Sequence, residues 1–461
     1  MEVFLIRALQ LMLCLSILVL LHEGGHFFFA KLFKIRVEKF CLFFDPWKTL
    51  FKYKPKGSDT EYCIGWLPLG GYVKISGMID ESMDKDQMKL PPQPWEMRSH
   101  PAWQRLLVMI GGVLVNFLLA LFIYSMILFT RGDNYIPMQS MTMGMQFNQE
   151  AKTLGFCDGD ILLNTDVAPF KCFDSRDGIT NSYRQLSEAK YVDVMRQGKT
   201  LRINLPEKGL NMLSMFKSNP PFMLAYFPAI IDSVMPNMPA EKYGIQTGDR
   251  IVAFNQQTIE TWNDYNMAVA QLSEQLVDAP TDDSIKLRHI TLVINRTTKK
   301  ALDTLNVMLD ENLKLGMLQR SMYHDYQPIC KEYGFFESFP AGISHGLNVL
   351  SGYIEDLKYV FTREGANSVG SFGAIGSMFP ATWDWYRFWN LTAFISIMLA
   401  FMNILPIPAL DGGHTLFILY EIIFRRKPSE RFLERAELIG MGLLILLMIW
   451  AVKNDIVNFL L

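Results

Sequence analysis

The chain has 461 residues, of which 50% are hydrophobic and 20% charged, with a mean hydropathy of +0.13. That is too apolar for an ordinary soluble protein and too polar for one lying wholly in a bilayer, so a few membrane spans plus a sizeable water-exposed part are expected. The net charge of −2 argues against a nucleic-acid partner, and six cysteines without a C-x-x-C pair argue against cysteine-ligated zinc.

The first predicted element is an apolar helix over about 5–30, long enough to span given a need for about 20 residues. No A-x-A-like cleavage site precedes its polar cluster, so it reads as a retained helix rather than a signal peptide. Within it stands His22-Glu23-Gly24-Gly25-His26. Two histidines four apart share one helix face, so both imidazoles can reach a single zinc ion, and Glu23 can serve as general base. Ionisable residues in such a run are costly and point to a functional site. A merely packed histidine pair is the weaker alternative, because hydrocarbon supplies no water to satisfy it.

Thirteen Lys and Arg follow between Lys31 and Arg105, which marks that loop as cytoplasmic. Inside it, EYCIGWLPLGGYVKIS (61–76) combines β-formers with Pro68 and Gly70-Gly71 and predicts a bent hairpin, which either pairs with an extended substrate or has no substrate role. A second span is expected over about 105–129. From 132 to 330 long apolar runs disappear. There Gly155-Phe-Cys-Asp-Gly159-Asp160 and Gly244-Ile-Gln-Thr-Gly248-Asp249 repeat at an offset of 89 residues, each before an apolar strand, which suggests duplicated modules. Cys157 and Cys172 lie in this part; they could pair in an oxidising compartment, and free thiols are expected.

Residues 336–365 read as one or two amphipathic helices lying on the membrane or covering a substrate entrance, with His345 a surface or packing residue. A third span over about 388–408 runs into FMNILPIPALDGGHTLF, where Pro406 and Pro408 break the helix. Asp411 is the expected third ligand. Two histidines and an aspartate leave a fourth zinc position open, the pattern of a catalytic site. The alternatives are an N-cap role for Asp411 and His414 as a rival ligand. Asn403, upstream of the break, could donate to a developing oxyanion. A fourth span is expected over about 438–460. Arg425, Arg426, Lys427, Arg431 and Arg435 precede it and mark another cytoplasmic loop, so both termini and the middle region face the other side.

His22-Glu23-Gly24-Gly25-His26, with Asn403-Ile-Leu-Pro-Ile-Pro-Ala-Leu-Asp411-Gly-Gly, resembles the site-2 protease family in its bacterial form, over nearly the whole chain. The resemblance implies one zinc ion on His22, His26 and Asp411, Glu23 as catalytic base, and Asn403 holding substrate or intermediate. It implies that 61–76 dips into the membrane near the zinc, and that the repeat is a pair of circularly permuted PDZ domains. These either bind peptide or screen access sterically. It further implies a cell inner membrane location and single-span membrane substrates, such as an anti-sigma factor trimmed by an upstream site-1-type protease, or signal-peptide remnants. The family's proline is absent from GGVLVNF (111–117), as is its Gly-Gly-Pro from SVGSFGAIG (368–376); neither touches a candidate ligand.

The expected architecture is therefore a multi-pass α-helical membrane protein with about four transmembrane helices, a membrane-associated β-hairpin and two tandem PDZ-like α+β domains. Its expected divisions are 1–131, 132–215, 216–322, 323–387 and 388–461. The function implied is hydrolysis of peptide bonds in or near transmembrane segments. A PDZ scaffold that never cleaves has no use for Glu23, and a transporter is disfavoured by the soluble repeat.

Overall fold

A computed structural model describes residues 2–68, 70–78, 91–174, 178–277, 285–297, 301–311, 313–321 and 324–460. The chain divides into two compact units, 1–132 with 332–461, and 133–331.

In the first unit, four described helices are long and apolar enough to cross a membrane: Glu2–Leu32, Ala102–Arg131, Trp385–Ile404 and Arg431–Val457. Their ends follow local chemistry. Pro101 stands at the N-cap of the second helix, and Gly132 closes it at φ 64°, a backbone region open to glycine. Asp384 caps the third by accepting from the Tyr386 and Arg387 amides. That helix stops at Ile404, four residues short of the expected 408, because Pro406 cannot continue the hydrogen-bond ladder. The second helix is the hub, packing against the first, against Phe335–Val360, against the third and against Asp411–Phe424. Apolar side chains such as Phe4, Leu9, Ile439, Leu446 and Ile449 stay exposed on the outer helices, a surface suited to lipid.

The segment expected to form a hairpin does something different. Four strands, β1 (Val37–Leu42), β2 (Phe44–Tyr53), β3 (Glu61–Leu67) and β4 (Tyr72–Ile75), form one sheet in the order β2-β3-β1-β4. β3 and β4 are not partners: β3 runs parallel to β1 and β4 antiparallel to it, so β1 separates them. Leu69, within the expected hairpin, lies outside the described residues. Cys41 and Cys63 face each other in register and are joined by a disulfide, a pairing that spacing alone did not indicate. No disulfide joins Cys157 to Cys172.

The Phe335–Val360 helix is not simply laid on a surface. Gly342 backs onto Ser125 and Gly346 onto Leu121, so it packs tightly along the second span, and His345 stacks edge-on against Tyr124 at 4.7 Å. Beyond it, Asp455 of the last helix accepts from the amides of Ser371 and Ala374, and Asn454 donates to the Ala366 and Val369 carbonyls. Gly370 and Gly373 make room for that carboxylate; a Cβ at Gly373 would lie 2.7 Å from Asp455 Oδ2. The glycines of SVGSFGAIG thus serve a polar latch between the connector and the last helix.

In the second unit the sequence repeat persists in three dimensions. Asp160 and Asp249 are both fully buried. Each accepts from a backbone amide three residues back and pairs with an arginine from a neighbouring strand, Arg196 or Arg296. Each arginine also donates to the first glycine of its motif, Gly155 or Gly244. The strands Ile161–Thr165 and Arg250–Phe254 that follow these turns sit in antiparallel sheets. Ile329–Lys331 pairs with Asp133–Pro137, which closes the unit on itself.

Candidate metal centre

His22 and His26 lie one turn apart in the last third of the first helix. Their rings reach the second helix where both chains carry glycine. A Cβ at Gly25 would come within 2.3 Å of the Gly111 carbonyl oxygen, so the two backbones are in contact. A Cβ at Gly112 would lie 2.5 Å from His26 Nε2 and 2.7 Å from His22 Cε1. Contrary to the expectation that 111–117 touches no candidate ligand, Gly112 lies directly against both imidazoles, and a bulky branched side chain there would displace them. Gly112→Val is therefore expected to lower bound zinc by at least about tenfold, on the scale of a disturbed ligand shell. Metal analysis of purified protein checks this, with Gly24→Ala as control, since nothing lies within 4 Å of a Cβ there.

His26 Nδ1 lies 2.8 Å from the Val108 carbonyl oxygen, which can only accept. Nδ1 therefore carries the proton, and Nε2 turns its lone pair toward the cavity. Asp411 arrives from the opposite side. The chain after Ile404 turns through Ala409, at φ 77°, a strained value for a residue with a side chain. Gly412 and Gly413 then press against the carbonyls of Leu405 and Ile407, where any Cβ would clash. This tuck starts the Asp411–Phe424 helix directly beneath the break. Leu410 takes the N-cap position and Asp411 the first helical one, so the aspartate side chain is not used as a cap.

The three candidate ligand atoms converge. His22 Nε2 and His26 Nε2 are 3.3 Å apart, and they lie 3.1 and 3.4 Å from Asp411 Oδ2. A tetrahedral zinc with bonds of about 2.0–2.1 Å separates its ligand atoms by about 3.3–3.4 Å. Asp411 Oδ2 is buried and has no hydrogen-bond partner among the described residues. The spacing and the orphaned oxygen fit a zinc ion. Asn403 Nδ2 lies 3.4 Å from His22 Nε2, on the same cavity wall. His414, the rival ligand, instead stands 4.0 Å from Glu437, outside the trio.

These groups line a cavity of about 720 Å³, with Glu23, Asn116 and residues of β4 in its wall. Tyr72, Val73 and Ile75 of β4, an edge strand among the described residues, line the same cavity as Glu23. Spacing alone did not reveal the neighbouring polar cluster. Lys39 and Thr49 donate to Asp45 Oδ2 at 2.6 and 2.7 Å, and the Tyr72 hydroxyl donates to Oδ1 at 2.8 Å. Partial burial raises the Asp45 carboxyl, but these hydrogen bonds outweigh it and hold the pKa down at about 2. Stability from this tie is thus fully present above the ordinary carboxylate range and is lost only as pH falls toward about 2. Cys41, Cys63 and Asp45 also cluster, but the thiols are joined and the carboxylate is already neutralised by Lys39.

The family profile described as Peptidase family M50 matches residues 10–447. The chain is 28% identical to a Haemophilus influenzae protein named "Regulator of sigma E protease", covering 96% of this chain and 97% of the relative. It is 25% identical to "Protease RseP" of Yersinia pestis, over 96% of each. A Treponema pallidum protein named as a candidate zinc metalloprotease is 23% identical over 97% of each chain.

Proposed function

The chain belongs to peptidase family M50, the site-2 proteases, and from that premise we propose that it cuts single-span membrane proteins within or near their hydrophobic segments, using one zinc ion held by His22, His26 and Asp411. The observation that carries this reading is the mutual spacing of three ligand atoms beside Glu23 in a cavity among apolar helices.

Zinc, when bound, supplies a Lewis acid and brings the pKa of water from about 15.7 toward about 7. The remaining work falls to the chain. Glu23 takes the proton of the attacking water and delivers it to the leaving nitrogen. The Asn403 amide donates to the oxygen on which charge develops. A helical substrate hides its peptide bonds in its own hydrogen bonds, so it must be unwound first. The outer edge of β4, unpaired among the described residues, pairs with that extended backbone and presents it beside Glu23.

The Lys- and Arg-rich loops support a topology in which β1–β4 and the metal site lie toward the cytoplasm, and both termini and residues 133–331 on the extracytoplasmic side of the inner membrane. That unit is read as two PDZ-like modules that restrict entry to substrates already trimmed by another protease. One relative is named a regulator of sigma E protease, and we take a trimmed anti-sigma factor as the substrate class to try first.

The test uses purified full-length protein and a trimmed single-span substrate. Cleavage is expected to stop on zinc chelation and to return when zinc is restored. Cleavage that continues after zinc has been removed, with metal analysis confirming its removal, overturns the metalloprotease reading. Equal cleavage of an untrimmed substrate with a bulky folded domain overturns the filter.

A further inference from the structure

We propose that Asn116 is a positioning residue for the metal centre: its side-chain oxygen accepts the His22 Nδ1 proton and thereby turns the His22 Nε2 lone pair onto the metal. This rests on the zinc reading above. Asn116 sits one turn after Gly112 on the second helix and is 1% exposed. Its Nδ2 is placed 3.3 Å from His22 Nδ1, while its Oδ1 is buried with no hydrogen-bond partner among the described residues. A buried orphan acceptor costs about 1–3 kcal/mol.

Amide oxygen and nitrogen are interchangeable by a half-turn about Cβ–Cγ. In the other orientation the orphaned oxygen faces Nδ1 and can accept its proton, while Nδ2 takes the position the oxygen leaves. The chemistry of the imidazole selects that orientation. A neutral histidine that ligates through Nε2 must carry its proton on Nδ1, and that proton needs an acceptor. His26 already obeys this rule through the Val108 carbonyl. Among the described residues no backbone carbonyl bonds His22 Nδ1, whereas Asn116 is within reach.

The asparagine is itself held in place. Its backbone carbonyl accepts from Ser396 Oγ at 2.7 Å, which pins this turn of the second helix to the third. Gly112, four residues earlier, lets the same helix face approach the rings. The second helix thus furnishes an outer partner for each histidine, a main-chain carbonyl for His26 and a side-chain carbonyl for His22.

The experiment measures zinc affinity of the full-length protein in detergent by competition with a chelator, with the thermal midpoint of the zinc-free protein recorded for each variant. Asn116→Ala is expected to weaken zinc binding about 10–100-fold, the range for a lost outer partner. Asn116→Asp, which keeps an acceptor and loses the donor, is expected to bind zinc at least as tightly as the wild type. Zinc-free midpoints should stay alike, because a packing role would move them and a positioning role would not. Affinity in Asn116→Ala within about threefold of the wild type overturns the proposal. So does equal weakening in both variants. If Asn116→Ala fails to fold, Asn116→Asp decides alone: weakening by more than about tenfold overturns the acceptor role. A wild type that holds no zinc instead fails the zinc reading itself.

Discussion

Replacing Glu23 with glutamine is expected to slow single-turnover cleavage by about 10²–10⁴-fold, the usual contribution of a general acid–base group. The amide is isosteric with the carboxylate, so the cavity keeps its shape. Glu23 is not among the three converging ligand atoms, so bound zinc should remain at the wild-type level. That dissociation of rate from metal content is the decisive reading. A variant that lost zinc in parallel with activity would make Glu23 a ligand or a structural residue. A variant that cleaved at the wild-type rate with zinc bound would place the base elsewhere.

The residues tested by that experiment were legible in the chain because their chemistry is local. Histidines at i and i+4 share a helix face whatever the rest of the fold does, and a helix-breaking Pro406 announces its own effect. Four spans and the glycine–aspartate repeat were readable for similar reasons: each is a pattern within a short window. The convergence of Asp411 on residues 385 and more positions earlier was inferred from donor type, and it took the tuck of Gly412 and Gly413 to show how the backbone delivers it. Strand partners were harder. A bent apolar stretch with Gly70-Gly71 suits a hairpin, but β1 inserts between β3 and β4. Nothing in a single window distinguishes neighbours in sequence from neighbours in a sheet. The polar latch at Asp455 and the Lys39–Asp45–Tyr72 cluster were missed for the same reason, since each joins residues whose sequence separation carries no periodic signal.

Asp411→Asn separates the two roles that the sequence allowed for this residue. Asparagine is as good an N-cap as aspartate, so a capping role would survive the change. A ligand role would not, because the neutral amide is a far weaker donor to zinc than a carboxylate and removes the negative charge between two histidines. The expectation is zinc affinity lowered by more than about 100-fold, beyond the loss typical of an outer partner. Cleavage should fall with it, while the thermal midpoint of the zinc-free protein stays near that of the wild type. The geometry favours this outcome: Leu410 already occupies the N-cap, and Asp411 Oδ2 lies buried at 3.1 and 3.4 Å from two imidazole nitrogens. Retained zinc with a lowered midpoint would return Asp411 to a structural role and leave the third ligand to be found, with His414 the next residue to substitute. Because His414 stands beside Glu437 rather than the trio, His414→Ala is the matched control and should leave zinc in place.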